Sequence, residues 1–578
     1  MSGTIDFKDG MKIFWDVAIE MDDGLNLRAD IFSPVEDGKY PVLMTHGPYG
    51  KWLAFQDAYA PQWESMTTNF PEILADSSSK YQNWEVVDPE RWVPDGYVCV
   101  RVDSRGAGRS PGYLDPFSKR ETKDFYDCIE WAAVQEWSNG KIGLNGISYY
   151  AINQWQVAAM QPPHLEAICI WEGASDLYRE MSHHGGIYCT YGGNWYKGRC
   201  LPRQHGMGAK GYRSKVNGQW VSGPDTMSEE ELGYHRADMA NDLFSNNYST
   251  DPYWEDRMPD FSKINVPLFS SSNWGGQSLH SRGNFEGFNS AASKEKWLEV
   301  HGIEHWTEFY TDYGVKLQKK FFGHYLKGED TGWKEQPKVL LQVRHPEDKF
   351  VEREESEWPL ERTEWTKYYL NPKNFSLEVE GNNEEKIVAY KGLGDGVTFV
   401  TPPLKTEMEI TGPLSSKLFI SSETEDADLF LIVRVFAEDF KEVVFQGALD
   451  PTTPTAQGWL RASRRKLDPD LSLPYRPYHA HDEDQPLNPG DIYEVDIEIW
   501  PTSVVIPKNY RIGLTIRGKD YVYQTGGGST LPNMNRFSGC GPFVHDDSRD
   551  RPFETFSKNV SLHFGKTYNP YVLLPVIK

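Results

Sequence analysis

Cysteine is scarce, with six in 578 residues. Cys99, Cys128, Cys169, Cys189, Cys200 and Cys540 form no CxxC pair and no metal-ligand spacing. A disulfide framework and a zinc-ribbon site are therefore not expected, and the thiols read as buried groups in a reducing compartment. No run of about 20 apolar residues is present, so no membrane-spanning helix is expected. The opening residues Met1 to Asp9 lack the apolar core of a signal peptide, which points to a cytoplasmic protein. The N-x-S sequons at Asn247, Asn374 and Asn559 then read as chance. Basic charge is also short: 60 Lys and Arg stand against 84 Asp and Glu, a net −24. That balance disfavours a nucleic-acid partner and an anionic membrane surface. The glycine-rich run Gln524 to Ser529 is followed by no Gly-Lys-Ser/Thr, so it reads as a loop and not a phosphate cradle. There is no internal repeat and no low-complexity tract.

What is present is an ordinary globular composition: 39% apolar, 14% aromatic and 25% charged residues. At roughly 150 residues per domain the chain has room for three or four domains. Alternation from Ile13 to Pro34 around Asp22-Asp23-Gly24 predicts a hairpin. Short apolar runs follow at Tyr40, Tyr97, Lys141, Leu165, Val266 and Lys296, each closed by glycine or a polar turn. Between them lie helical patterns, such as Glu121 to Gln135 with Phe125, Cys128, Ile129, Trp131 and Ala132 on one side. Strand–helix alternation predicts an α/β domain whose parallel sheet is covered on both faces. Its active site is expected at the carboxyl ends of the strands. The rhythm breaks at about 178–262, a Gly-, His-, Tyr- and Trp-rich block that turns acidic and helical; we read it as a cap insertion. The expected core is then 1–177 and 263–335. Beyond about 336 short β-type runs between Pro/Gly/Asp turns predict an antiparallel β-sandwich to residue 578.

The sharpest local signal is Gly143-Leu-Asn-Gly146-Ile-Ser148-Tyr149-Tyr150-Ala151. An apolar strand runs into Gly-x-Ser and then into a helix. Such a turn exposes the Ser148 hydroxyl and aims the next backbone N–H at a developing oxyanion. Gly146 is needed because a side chain there would crowd the turn. Tyr150 departs from the plain G-x-S-x-G pattern, and taken alone the segment also fits a serine capping a core helix.

Its surroundings resemble the CocE/NonD hydrolase family, related to X-Pro dipeptidyl-peptidases. The family's elbow G-x-S-Y-x-G is met except for Ala151. Val102-Asp-Ser-Arg-Gly-Ala-Gly-Arg-Ser-Pro-Gly112 is similar to its D-x-R-G-x-G-x-S-x-G loop. Trp137 to Gly143, Asp22 to Asp30, Phe321 to Gly332, Gly458 to Arg464 and Pro489-Gly490-Asp491 resemble further family segments in the same order. The resemblance implies an α/β-hydrolase domain, a helical cap and a C-terminal jelly roll. It implies acyl transfer to Ser148 with a histidine as base. An N-P-Y-x-K-type turn, here His46 to Lys51, supplies Tyr49 as oxyanion donor beside the Tyr149 N–H. The family's G-P-W-x-H matches His301-Gly-Ile-Glu-His305, which implies His305, with His301 as competitor.

The family's acid is missing. Its G-W-x-D reads Asn273-Trp274-Gly275-Gly276 here. Three readings stay open: Glu172 after Ile170-Trp171 serves instead, with nearby Asp176 structural; Glu304, Glu286 or Asp312 serves; or Ser148 and His305 act without a carboxylate. For substrate contacts, Trp171, Trp274 and His280 are the candidates; Arg282 is as readily part of a structural salt link. Adjacent histidines His183 and His184 have no acidic partner at ligand spacing, so neither a metal nor an organic cofactor is expected. The expected activity is a serine hydrolase taking a small to medium apolar ester or amide. Its alternatives are an X-Pro-type dipeptidyl peptidase, or a diverged member performing acyl transfer, C–C cleavage or binding only. The partner expected is a small-molecule substrate; a homodimer stays open.

Overall fold

The short apolar runs become strands buried from end to end, as strands flanked by helices on both faces must be. Val98–Asp103, Leu268–Asn273 and all but the first residue of Tyr40–Gly47 have this pattern. The computed structural model describes residues 3–523 and 539–578, so the run Gln524 to Ser529 lies outside the described residues. Tyr40–Gly47 pairs in parallel with both Val98–Asp103 and Ser138–Ile147. The parallel ladder continues through Leu165–Trp171, Leu268–Asn273 and Lys296–His301. On the other edge the hairpin Met11–Glu20/Asn26–Pro34 adds antiparallel strands, its turn closed by Met21 N–H to the Leu25 carbonyl at 2.8 Å.

Crossover helices cover the sheet. Lys119–Ala133 is capped by Ser118, whose hydroxyl accepts the Glu121 N–H. It buries Phe125, Cys128, Ile129 and Ala132, with Trp131 half-buried against the same core. Tyr149–Ala159 follows the strand Ser138–Ile147 directly. Ser281–Ser290 connects Leu268–Asn273 to Lys296–His301. Because these strands run parallel, their carboxyl ends Gly47, Asp103, Ile147, Trp171, Asn273 and His301 lie along one edge.

Residues 178–262 hold only short helical segments, Met239–Ser245 being seven residues long, and a small hairpin His183–His184/Ile187–Tyr188. Their glycines and bulky aromatics suit close packing better than long helices. The segment is tied to the C-terminal region: Arg461 N–H donates to the Gly185 carbonyl at 2.9 Å, and Thr190 N–H to that of Val544 at 3.0 Å.

The first run beyond residue 336, expected in the sandwich, instead extends the parallel sheet: Val339–His345, which includes Leu340, pairs in parallel with Lys296–His301. It then pairs antiparallel with Lys349–Glu355. Beyond it the chain is β-rich and mainly antiparallel. Met408–Ser422 lies between Tyr493–Ile506 and Tyr571–Ile577, and Asp428–Phe436 between Ala456–Arg461 and Arg511–Arg517. Their inward faces build a separate apolar core around Leu418, Leu431, Ile497 and Leu514.

Candidate active site

Ser148 sits between the strand Ser138–Ile147 and the helix Tyr149–Ala159 with φ 58° and ψ −113°. That is strained for a residue bearing a Cβ, and surrounding contacts hold it. Ser148 N–H donates to the Trp171 carbonyl at 3.0 Å; its own carbonyl accepts from Ile152 at 2.8 Å. A Cβ on Gly146 would stand 2.5 Å from Tyr150 Cβ and 3.2 Å from the Glu85 carbonyl, which explains the glycine. Tyr150 fits in place of the usual glycine because Gly47 leaves room: a Cβ there would meet its ring at 2.7 Å. Ser148 is half-buried among buried neighbours.

The imidazole in contact with Ser148 belongs to His280, whose Nε2 is 3.4 Å from Oγ. His280 Nδ1 lies 3.1 Å from the Gly173 carbonyl, so Nδ1 carries the proton and Nε2 presents its lone pair to the hydroxyl. Burial first, and the neighbouring His305 charge second, push its pKa down to about 3. Sequence reasoning placed His280 among substrate contacts and His305 against the serine. Among the described residues, no hydrogen bond joins Ser148 to His305.

His305 instead stacks on His280, ring centroids 4.9 Å apart. Its Nδ1 is 2.6 Å from Glu172 Oε2 and its Nε2 is 3.0 Å from Glu85 Oε1. Burial opposes the charged ring, but Glu172 and Glu85 outweigh it and hold the pKa up at about 10. Glu172 stands at the end of the strand Leu165–Trp171 with φ 49°. Burial would raise its pKa, yet His305 and His301 bring it down to about 2. His301 reaches the same carboxylate at 3.4 Å and Glu299 at 2.9 Å. The result is a buried file of alternating carboxyl and imidazole groups: Glu299, His301, Glu172, His305, Glu85.

The other carboxylates weighed from sequence are engaged elsewhere. Asp176 pairs with Arg179 at 2.6 Å, Asp312 with Arg91 at 2.8 Å, and Glu286 with Arg476. Glu304 accepts from Thr307. Glu85 is the residue sequence reasoning missed. Its one signal is a carboxylate inside the apolar stretch Trp84-Glu85-Val86-Val87. It has φ 63°, its carbonyl accepts the Ile147 N–H at 3.1 Å, and burial raises its pKa.

Tyr49 is buried on the loop after Tyr40–Gly47, its ring edge-on to those of Tyr149 and Tyr150. That loop is pinned by Lys51 N–H donating to Asp103 Oδ1 at 2.7 Å, so the signature Asp103 loop serves placement. The Trp195 indole N–H donates to Tyr49 Oη at 3.0 Å, which leaves the phenol proton free to donate. Burial raises the Tyr49 pKa well above its ordinary value and keeps that proton in place. Tyr149 opens its helix, so its N–H has no helical acceptor. Its phenol donates to Glu121 at 2.5 Å, anchoring the helix start.

Trp171 and Trp274 are packing residues. Trp171 meets Phe269 and Phe309 edge-on within the core. Trp274 packs on Phe285 and Trp358 and donates to the Gln342 carbonyl at 2.8 Å. Both strand-end tryptophans turn into the sheet's apolar layers, where their large surfaces are dry. Arg282 pairs with Glu180 at 2.8 Å and Glu498 at 2.9 Å. The Gly276 turn carries no acid; its carbonyl accepts the His280 N–H at 2.9 Å. Loop 447–448 of the C-terminal region presses here: Ala448 N–H donates to Gly275, and its carbonyl accepts the His305 N–H, each at 3.1 Å.

Glu172, His280 and His305 bring three potential metal-ligand atoms within 4.8 Å. Both His305 nitrogens are spoken for by carboxylates and His280 Nδ1 by a carbonyl. The remaining lone pair, His280 Nε2, faces Ser148. The arrangement suits proton transfer.

A parallel sheet with a serine on its elbow and imidazoles at its carboxyl edge defines an α/β-type serine hydrolase. Comparison with known proteins agrees. Residues 23–307 match the family model described as X-Pro dipeptidyl-peptidase (S15 family), and residues 331–572 match the X-Pro dipeptidyl-peptidase C-terminal non-catalytic domain. A crystal structure of a CocE/NonD family hydrolase from Staphylococcus aureus is 32% identical, with a TM-score of 0.82, covering 98% of this chain and 94% of that one. Cocaine esterase from Rhodococcus sp. is 23% identical over 97% of this chain and 98% of its own length. An aminopeptidase from a Thaumarchaeota archaeon shares the fold at a TM-score of 0.68 and 16% identity. The chain belongs to the CocE/NonD family of hydrolases.

Proposed function

We propose that the chain hydrolyses an ester or amide of a small to medium, largely apolar molecule through an acyl-enzyme on Ser148. The observation that carries this reading is the pairing of a strained, accessible serine with a neutral imidazole at 3.4 Å whose tautomer is set by the Gly173 carbonyl. Ser148 Oγ attacks the carbonyl carbon while His280 Nε2 takes its proton. The Tyr149 N–H and the Tyr49 O–H stabilise the tetrahedral oxyanion. The protonated imidazole returns the proton to the leaving alkoxide or amine, and water repeats the sequence to release the acid. The Glu172–His305 pair orients the stacked ring. We read the C-terminal strands as the family's jelly roll; the six free cysteines support a reducing, cytoplasmic setting. A fluorophosphonate should label Ser148 alone, as mapped by mass spectrometry; an unlabelled folded protein overturns the reading.

Two finer alternatives have specific support. His305 as base is supported by its 2.6 Å contact with Glu172, the acid–imidazole half of a triad in the chain order Ser–Glu–His. Hydrolysis of substrates with a free amine, as in peptidases, is supported by Glu85, whose carboxylate is buried beside the site, as an anchor for an ammonium group would be. Comparing an amino-acyl ester or X-Pro amide with its N-acetylated form tests this. Loss of turnover on acetylation favours the amine reading, and equal turnover removes it.

A further inference from the structure

A second cluster lies outside the hydrolase site. It joins the small hairpin of residues 183–188 to the C-terminal region. His184, Cys189 and His545 are all buried, and each offers a ligand atom within 4.8 Å of the others. The adjacent His183 turns away and stacks on Tyr178, ring centroids 4.7 Å apart, so the sequence pair does not act as a pair. Strand alternation sends neighbours to opposite faces. His184 instead meets a residue 361 positions away: its Nδ1 is 2.9 Å from His545 Nε2.

The outer nitrogens decide what lies between these rings. His184 Nε2 is 3.2 Å from the Glu180 carbonyl, so it carries a proton. His545 Nδ1 is 2.7 Å from Asp520 Oδ1, while Asp520 Oδ2 accepts the His545 backbone N–H at 2.8 Å. In the neutral rings both facing nitrogens therefore carry lone pairs, and two lone pairs at this distance repel unless a cation joins them. A carboxylate behind a ligating histidine is the arrangement that fixes ring orientation in metal centres. Phe430, Trp459 and Trp500 wall the cluster with aromatic surface. Gly185 lets the hairpin seat closely: a Cβ there would stand 2.1 Å from the Trp459 carbonyl oxygen.

We propose that His184, Cys189 and His545 bind a divalent transition-metal ion of the zinc class, which ties the hairpin to the C-terminal region. Two imidazoles and a thiolate form a borderline-soft set suited to Zn²⁺ or Co²⁺. Binding forms one sulfur–metal and two nitrogen–metal bonds and releases the Cys189 thiol proton, with no electron transfer. With the Cys189 thiolate and Asp520 carboxylate, the two positive charges are balanced. Metal–nitrogen bonds of about 2.0–2.1 Å in tetrahedral geometry separate the nitrogens by roughly 3.3 Å, against 2.9 Å between His184 Nδ1 and His545 Nε2 here.

The test uses the full chain grown with zinc and freed of loose metal. One equivalent of zinc per chain is expected by elemental analysis. Replacement by Co²⁺ should produce a near-ultraviolet thiolate-to-cobalt charge-transfer band. Cys189→Ser should lose the band, and His545→Gln should lose most bound metal. Fluorophosphonate labelling of Ser148 reports whether each variant is folded. Chelation should lower the Tm of the wild type and leave that of Cys189→Ser unmoved. Wild-type protein that retains no metal and develops no band, with a shared proton between the histidines instead, overturns the proposal. So does a band that survives in Cys189→Ser.

Discussion

His280 lies face to face with His305, their planes 16° from parallel, and it is His280 whose Nε2 reaches Ser148 Oγ. The two rings share one electrostatic problem. His305, held between Glu172 and Glu85, keeps a proton up to about pH 10. That charge, added to burial, drives the His280 pKa down to about 3 and leaves its ring neutral. A ring that is unprotonated at neutral pH can accept the serine proton, while the nearby charge on His305 opposes the imidazolium that results.

Ser148→Ala should abolish turnover of a p-nitrophenyl ester, with kcat falling by about 10⁵–10⁶-fold. The fold should be kept, since the backbone contacts of Ser148 remain. Covalent labelling and burst kinetics check it; a variant retaining a tenth of the rate would move the nucleophile elsewhere.

His280→Gln should slow acyl-enzyme formation by about 10²–10⁴-fold, the usual contribution of a general base. His305→Gln should cost less, because the hydroxyl–imidazole contact survives. Stopped-flow acylation measures both, and the reverse order transfers the base role to His305.

The pH dependence of acylation should lack the ordinary histidine limb. A folded pKa lowered to about 3 from 6.5 keeps His280 neutral as pH falls through 6, so the rate should stay flat from about pH 5 to 8. Stability behaves differently. His305, raised from 6.5 to about 10, contributes fully below pH 6.5 and loses its contribution as pH rises through 10. Glu172, lowered from 4.5 to about 2, contributes fully above pH 4.5 and loses it as pH falls through 2. The pair is therefore complete between about pH 4.5 and 6.5. Glu172→Gln should flatten the alkaline loss of Tm and slow acylation by less than His280→Gln does, since its carboxylate reaches His280 only through His305. Near-normal acylation in this variant would remove Glu172 from the machinery.

Tyr49→Phe should lower kcat by about 10²–10³-fold, or roughly 3–4 kcal/mol, with little change in KM, because the lost donor serves the oxyanion and not the bound ester. A change confined to KM would make Tyr49 a substrate contact.

Gly146→Ala places a methyl 2.5 Å from Tyr150 Cβ, inside any tolerable contact. Overpacking of this kind costs about 1–3 kcal/mol, visible as a lowered Tm, and activity should fall with it as the elbow shifts. Unchanged stability and activity would show that the turn needs no glycine.

Much of this was legible in the residues. The elbow at Gly146-Ile-Ser148, the hairpin at Asp22–Gly24, the apolar strands and the helix through Phe125 and Ile129 follow from local rules: period, turn chemistry and steric room. The Leu340 run was harder to place, since an apolar stretch does not reveal whether its partner strand runs parallel or antiparallel. Trp171 and Trp274 stand beside strand ends, where chain position allows either the cleft or the core; packing chose the core. His280 and His305 both lie in the loops expected at the site, yet side-chain direction decided which one meets Ser148.

The chain alone determined the turn at Ser148, from neighbours a few residues away, and the parallel sheet behind it, from the alternation of strands and helices; the want of an acid at Gly276 was legible only against the pattern of the family it resembles. Only the tertiary structure decided where charge collects. Glu85 and Glu172 reach His305 across 220 and 133 positions, and His184 reaches His545 across 361. Coulomb attraction and desolvation act on distance and burial in space, to which separation along the chain is blind.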